Sequence, residues 1–314
     1  MILVFGSLNV DLLVPVGRLP SPGETVLGGD YGLLPGGKGA NQALAARRAG
    51  AMVAMAGAVG TDAFAEVALA RLRDAGVDLD LVRRTARPTG CAAIMVGADG
   101  ENLIAVASGA NHDARAADIP DAVLRPQTLV LCQMEVPAEE SWSLLRRAHQ
   151  AGCRTMLNLA PATPLDPEVL GLLDILVANE GEAATLAAAP ATVAARLGVG
   201  LIVTRGAAGV IAYRRDGSRL DTPALAINPV DTTGAGDTFT GVLAAGLDAD
   251  LSLADAMRCG SAAAGLACLG QGAQNAMPDQ AAISAAVLRL PRARPSLRRE
   301  CAGIPRVPRG TGGA

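Results

Sequence analysis

The segment with the clearest capacity for chemistry is "DTTGAGDTFTGVL" at 231–243. Its Gly-Ala-Gly turn leads into an amphipathic pattern, which predicts a helix with Asp237 in the first turn. Such a turn leaves backbone N–H groups unpaired at the positive end of a helix dipole, where a phosphoryl group binds well. A carboxylate beside it can take the proton of an attacking hydroxyl. From the residues alone, Asp237 could equally be an acidic residue that only favours a helix start.

A second glycine-rich segment, "GGKGAN" at 36–41, contains Lys38, the only lysine of the chain. Together with Gly32 it fits the G-x-x-x-x-G-K part of a P-loop. Gly39, however, stands where a P-loop has the Ser or Thr that binds Mg²⁺. Because the turn before Asp237 is the better phosphate site, we interpret the P-loop similarity as coincidence and assign the segment to the acceptor side of a reaction.

The composition argues against several classes of function. The 314-residue chain has a formal net charge of −3 and a pI near 5.5, so no basic field attracts nucleic acid or anionic lipid. No apolar run is long enough to span a bilayer, and "MILVFGSLNVD" is expected to be a first strand rather than a signal peptide. The six cysteines form no C-x-x-C pair, which favours free thiols in a reducing cytoplasm.

The elements that must position these residues alternate along the chain. Short continuous apolar runs followed by helical patterns predict an α/β fold, a doubly wound and mostly parallel sheet with helices on both faces. The predicted strands are 2–7, 53–60, 128–135, 155–161, 175–179 and 201–206. The predicted helices are about 39–50, 62–75, 138–151, 180–188, 236–247, 252–268 and 278–289.

Segments 12–35 and 89–108 interrupt this alternation. The second is a predicted hairpin with a turn at Asp99-Gly100, and another hairpin is predicted at 209–224. We expect 12–35 and 89–108 to pair as a small β-sheet lid over a pocket. The remainder of 1–290 is then a single α/β domain, and the Pro-, Gly- and Arg-rich segment 291–314 is predicted to be a disordered tail.

Five segments occur in an order and spacing that resemble the ribokinase family, the PfkB-type carbohydrate kinases, over about 1–290. They are "GSLNVD", "PSPGETV", "GGKGANQA", "NEGEA" and "DTTGAGDTF". The resemblance implies ATP-dependent phosphorylation of D-ribose at its 5-hydroxyl, giving D-ribose 5-phosphate and ADP. It also implies Mg²⁺ with the nucleotide, K⁺ as a monovalent activator and a homodimer formed through the lid. The cytoplasmic location is expected from the cysteine pattern.

Other acceptors and one other class of function stay open. Deoxyribose, a ketohexose or a nucleoside could replace ribose, although aromatic residues make up only 2% of the chain and offer little surface for stacking a base. A non-catalytic sugar or nucleotide sensor would have no need of Asp237. A nicotinamide dehydrogenase is disfavoured because no G-x-G-x-x-G follows the first strand.

The resemblance also assigns roles to individual residues. Asp237 matches the general base, and Gly234, Ala235 and Gly236 match the anion hole. The implied sugar contacts are Asn9, Val10, Asp11, Gly37, Lys38, Gly39, Ala40, Asn41, Glu135 and Asp237. The implied nucleotide contacts are Asn179, Glu182, Thr204, Arg205, Gly206, Ala207, Ala208, Gly209, Gly236, Asp237 and Ser261.

The resemblance also implies a Mg²⁺ site and a K⁺ site, and the K⁺ site lacks one of the family's usual residues. Asn179 and Glu182 would act near the Mg²⁺–triphosphate through water, although the pair also fits a helix N-cap. The implied K⁺ ligands are Asp231, Thr233, Ala267, Gly270 and Gly272. Ala276 stands where the family usually has a serine, so we expect weaker cation activation.

Overall fold

The computed structural model describes residues 1–291 and 294–296. The strands are β1 (Ile2–Phe5), β2 (Asn9–Pro15), β3 (Gly32–Gly36), β4 (Val53–Val59), β5 (Asp78–Arg84), β6 (Gly90–Val96), β7 (Asn102–Ala107), β8 (Leu129–Cys132), β9 (Arg154–Asn158), β10 (Ile175–Asn179), β11 (Gly200–Thr204), β12 (Val210–Arg214), β13 (Arg219–Thr222) and β14 (Arg294–Ser296). The α-helices are α1 (Lys38–Arg48), α2 (Ala63–Asp74), α3 (Ala138–Gln150), α4 (Pro167–Leu170), α5 (Glu180–Ala184), α6 (Pro190–Ala194), α7 (Ala235–Asp248), α8 (Leu253–Ala267) and α9 (Gln280–Val287).

The main sheet has ten strands in the order β14-β13-β12-β11-β10-β9-β8-β1-β4-β5. All neighbours from β11 to β5 are parallel. Along β1, Ile2 and Val4 join one buried cluster while Leu3 and Phe5 join another. The side chains of a strand alternate between faces, so the two clusters lie on opposite faces of the sheet. This arrangement confirms the predicted doubly wound α/β fold.

The antiparallel end of the main sheet was predicted only in part. The hairpin expected at 209–224 forms as β12 and β13, and it extends the main sheet instead of standing apart from it. The sheet-edge strand β5 has no predicted counterpart, because its sequence "DLDLVRR" is charged and lacks a continuous apolar run. The short helices α4 and α6 are likewise absent from the prediction.

The second sheet has four strands in the order β3-β2-β6-β7 and confirms the predicted small sheet. Strands β2 and β6 are parallel, and the outer pairs are antiparallel. The sheet begins at Asn9, earlier than the predicted start at 12. Asn9 and Asp11 therefore lie on a strand of the small sheet.

Most of the predicted tail, 291–314, lies outside the described residues. Within it, Arg294–Ser296 forms a strand paired with β13, which differs from the expected disorder. Over the part of the chain that the structure describes, the helices are too short or too polar to cross a membrane.

Candidate active site

Asp237 lies in the first turn of α7, where the backbone is open to an anion. Gly234 precedes the helix with φ of 74°, and a Cβ there would lie 2.6 Å from the Ala273 Cβ. No side chain caps this helix. The Ala235 N–H donates to the Thr232 carbonyl at 3.2 Å, whereas no partner is found among the described residues for the N–H groups of Gly236 and Asp237. The turn thus presents free donors beside a carboxylate that is only 7% exposed.

Two amides from the start of α1 hold the Asp237 carboxylate. Asn41 Nδ2 donates to Oδ2 at 2.9 Å, and Gln42 Nε2 donates to Oδ1 at 2.8 Å. The helices α1 and α7 approach closely because Gly241 lacks a side chain. A Cβ there would lie 2.4 Å from the Gln42 carbonyl oxygen. Asn41 was predicted as a site residue from the sequence, whereas Gln42 was not.

The loop around Lys38 is fitted tightly against the end of β1. A Cβ on Gly37, whose φ is 88°, would lie 2.8 Å from the Asn9 nitrogen, and one on Gly39 would lie 2.6 Å from the Ser7 nitrogen. A Ser or Thr at position 39 would therefore collide with backbone. The departure from a P-loop is a steric requirement of this fold.

Glu135 holds the same loop in place. Its Oε2 accepts from the Lys38 N–H at 3.0 Å and from the Ser7 hydroxyl at 2.5 Å. Asp11 lies over Gly36, where a Cβ would approach its carboxylate to 2.4 Å. Both residues were predicted as sugar contacts, and both border the loop. Val10 and Ala40, predicted with them, have side chains that are fully buried.

The charges of the site are predominantly negative. Asp237 raises the pKa of Lys38 most, with Glu135, Glu182 and Asp11 adding to the effect, while burial opposes it. Burial, together with the nearby charges of Glu135 and Asp237, raises the pKa of Asp11 to about 6, although Lys38 acts to lower it. One lysine among four carboxylates leaves a site that favours a cation-bound ligand.

A cavity of about 300 Å³ lies on the lid side of this cluster. Asn9 and Glu135 line it, together with Val106 from β7 and Asn111 and His112 from the following turn. Asn111 Nδ2 donates to Asn9 Oδ1 at 2.7 Å, which orients the Asn9 amide. This cavity therefore lies between the lid strand β7 and the segment that carries Glu135.

A second cavity of about 430 Å³ has a largely apolar lining. Six of the predicted nucleotide contacts line it, namely Thr204, Gly206, Ala207, Gly209, Gly236 and Ser261. The Ser261 hydroxyl donates to the Pro223 carbonyl at 2.7 Å. Arg205 donates to the Ala208 carbonyl at 2.9 Å, and neither of these two residues is part of the lining.

A smaller cavity of about 140 Å³ adjoins both the Gly236 turn and the loop. Lys38, Asp237, Asn179 and Glu182 all line it, so residues far apart in sequence meet around one small volume. Asn179 and Glu182 form a reciprocal capping box on α5, each accepting at 2.8 Å from the backbone of the other. The helix-cap interpretation is correct, and it fixes both side chains at the cavity wall.

Asp231 joins two loops beside α7. Its carboxylate accepts from the Thr233 N–H at 2.9 Å and from the Gly272 N–H at 2.8 Å. Burial acts to raise the pKa of Asp231, but hydrogen bonds from Thr233 and Gly272 outweigh it and leave the pKa low. The described residues hold no group of three or more His, Cys, Asp and Glu that suits a metal. A cation here would depend largely on carbonyl oxygens.

Several buried polar residues of the site were missed from the sequence. They are Ser7, Gln42, Asn111, Gln133, Asn158 and Gln274, none more than 6% exposed. A signal existed for two of them. Gln133 and Asn158 interrupt apolar runs within predicted strands, and a buried polar group needs a partner.

Comparison with known proteins gives a consistent result. The family model described as pfkB family carbohydrate kinase matches residues 1–280. A ribokinase of Lactococcus lactis is 37% identical over 288 residues, covering 90% of this chain and 95% of that protein. A ribokinase of Bacillus subtilis is 37% identical over 287 residues, covering 89% and 96%.

Solved structures agree with these relatives. The structure of Arabidopsis thaliana ribokinase complexed with ribose and ATP has a TM-score of 0.83 at 31% identity, covering 91% of this chain and 98% of that one. Thermotoga maritima ribokinase has a TM-score of 0.84 at 28% identity, covering 92% and 99%. The matched length, the fold and the site motifs all indicate that the chain belongs to the pfkB family of carbohydrate kinases.

Proposed function

We propose that this protein transfers the γ-phosphoryl group of ATP to the 5-hydroxyl of D-ribose, giving D-ribose 5-phosphate and ADP. The observation that carries the proposal is the position of Asp237. Its buried carboxylate stands beside unpaired backbone donors, in a small cavity that also holds Lys38 and adjoins the apolar cavity at Gly236. The ribokinase relatives, at 37% identity over about nine-tenths of the chain, support ribose as the acceptor.

Each part of the site has a role in this reaction. Asp237 accepts the proton of the attacking hydroxyl, and the unpaired N–H groups of Gly236 and Asp237 receive the transferred phosphoryl group. Lys38 offsets negative charge between donor and acceptor. Asn9, Asp11 and the loop at 36–41 bind the sugar hydroxyls, and the apolar cavity accommodates the adenine.

Mg²⁺ fits this site as a companion of the nucleotide. Glu182 is the suitable oxygen donor, because only its Oε2 accepts from the Asn179 N–H. With Asn179 it would hold the ion mainly through water, as suits a metal that keeps much of its hydration. When bound, Mg²⁺ neutralises charge on the triphosphate.

The substrate assignment is tested by measuring ADP release in a coupled assay. The panel contains ribose, deoxyribose, a ketohexose and nucleosides, each with saturating ATP and Mg²⁺. We expect the highest kcat/KM with ribose. A higher kcat/KM with a nucleoside would show that the acceptor is a nucleoside and not ribose. If no sugar stimulates ADP release, the sensor interpretation is favoured.

K⁺ activation is proposed for the Asp231 loop, with carbonyls of Thr233, Ala267, Gly270 and Gly272 as further ligands. We expect kcat to be higher in K⁺ than in a buffer without K⁺, and Ala276→Ser to increase this ratio. A Cβ built on Gly270 would lie 2.9 Å from the Ala276 Cβ. A hydroxyl added at position 276 would therefore lie close to Gly270. If the wild-type protein and Ala276→Ser are each equally active with and without K⁺, the proposed K⁺ site is wrong.

A homodimer formed through the lid is proposed because all of β7 is exposed. Leu103, Ile104 and Val106 are 43%, 56% and 56% exposed, a row of apolar side chains on an edge strand of the small sheet. We expect a dimer in sedimentation velocity and a monomer for Ile104→Asp. The matched control, Leu288→Asp, changes an 86% exposed leucine on the main domain and should remain dimeric. A monomeric wild-type protein would contradict the proposal.

A further inference from the structure

The two amides that hold the Asp237 carboxylate are themselves oriented by two further amides. Gln133 Nε2 donates to Gln42 Oε1 at 2.8 Å, and Gln274 Nε2 donates to Asn41 Oδ1 at 3.0 Å. An amide can present either its NH₂ group or its carbonyl to a neighbour. Because each carbonyl is occupied by an outer donor, the NH₂ groups of Gln42 and Asn41 face the carboxylate.

Gln42 is the more tightly fixed of the two. Its second N–H donates to Asn158 Oδ1 at 2.9 Å, and Asn158 Nδ2 donates in turn to the Val177 carbonyl at 3.2 Å. Gln42 and Gln133 are both fully buried, so water does not replace a lost contact. The contacts connect the Oδ1 atom of Asp237 to the ends of the central strands β8 and β9.

The outer amides donate inward even though their own carbonyls gain no partner. Gln133 Oε1 and Gln274 Oε1 are buried without a hydrogen bond among the described residues. An unpaired buried acceptor is unfavourable, and an apolar residue at position 133 would avoid it. The amides are therefore arranged for the direction in which they donate, which is toward Asp237.

We infer that Gln42, oriented by Gln133, is a positioning residue that sets the rotamer of the Asp237 carboxylate for proton transfer. With Oδ1 and Oδ2 each held by one amide, the remaining lone pairs are directed at the acceptor hydroxyl. Neither glutamine lines the cavities of the site, so both act through Asp237 and not on the substrate. The inference rests on Asp237 being the base of the proposed function.

A mutant cycle on kcat tests this arrangement. Gln42→Leu should lower kcat by about ten- to a hundredfold while KM for ribose and for ATP changes little, because misplacement of a reacting group costs rate more than binding. Gln133→Leu should lower kcat less. The double variant should be no slower than Gln42→Leu, because Gln133 has no route to Asp237 except Gln42.

The control is Thr155→Val on β9, another buried polar-to-apolar change. The Thr155 hydroxyl donates to the Leu172 carbonyl at 2.6 Å, away from Asp237. This variant should lose stability and keep kcat. Thermal unfolding and ADP titration establish that each variant is folded. If Gln42→Leu does not fold, Gln133→Leu alone decides, and a wild-type kcat would overturn the inference.

Asp237→Asn, measured alongside, distinguishes a failure of the positioning role from a failure of the proposed function. If it is inactive while Gln42→Leu keeps a wild-type kcat, the positioning role is wrong and the proposed function stands. If Asp237→Asn is active, the proposed base is wrong. Additive losses in the double variant, or losses confined to KM, would mean that the glutamines contribute only to folding or to substrate binding.

Discussion

Asp237→Asn is expected to lower kcat by about 10²–10⁴-fold, the usual contribution of a general base. The amide keeps the size of the side chain but cannot accept the hydroxyl proton at the pH of the assay. Affinity for ADP should change little, because the unpaired backbone donors of Gly236 and Asp237 and the apolar cavity remain. Steady-state ADP release gives kcat, and isothermal titration gives the affinities.

The matched control for this prediction is Asp248→Asn at the other end of α7. Asp248 accepts from the N-terminal ammonium group at 2.6 Å and has no contact with the site. It should keep a wild-type kcat. An Asp237→Asn enzyme that turns over at the wild-type rate would show that proton transfer does not depend on this carboxylate.

Gly39→Ser is expected to destabilise the protein by about 1–3 kcal/mol and to abolish ribose binding. Serine favours a helix more than glycine does, so propensity alone predicts a small gain within α1. The loss comes from the new Cβ, which would lie 2.6 Å from the Ser7 nitrogen and 2.7 Å from the Gly6 carbonyl carbon. Relief of this contact must displace the loop that carries Lys38.

Gly32→Ala on β3 serves as the control, since a Cβ there has no neighbour within 4 Å. It should leave both the unfolding temperature and ribose affinity near the wild-type values. A true P-loop would gain a Mg²⁺ ligand from Gly39→Ser. Tighter Mg²⁺–ATP binding in that variant would therefore contradict our assignment of the loop to the acceptor.

The parallel strands were predictable because each is a short apolar run covered on both faces. In β4, "VAMAGAV" is buried at every position, as a continuous pattern requires. The edge strand β5 was missed for the opposite physical reason. It is half exposed, and its charged residues carry no such pattern. The start of the lid at Asn9 was also missed. Which of the two sheets a strand joins depends on the distant strands with which it pairs, and these are not visible in the local sequence.

The candidate site was predictable where a short segment carries the chemistry. Asp237 with its glycine turn, and Lys38 with its loop, are visible as local motifs, and the structure brings both to one small cavity. The amides around the base are different. Gln42 and Gln133 are separated by 91 positions and meet only because α1 packs beside the end of β8. No local pattern contains that contact.

The proposed phosphorylation of ribose is tested most directly by identifying the product formed from ribose and ATP. We expect one ADP per ribose consumed, a phosphate ester on carbon 5 in phosphorus NMR, and no reaction with 5-deoxyribose, which lacks the acceptor hydroxyl. Phosphorylation at another carbon, or equal ADP release with 5-deoxyribose, would contradict the proposal.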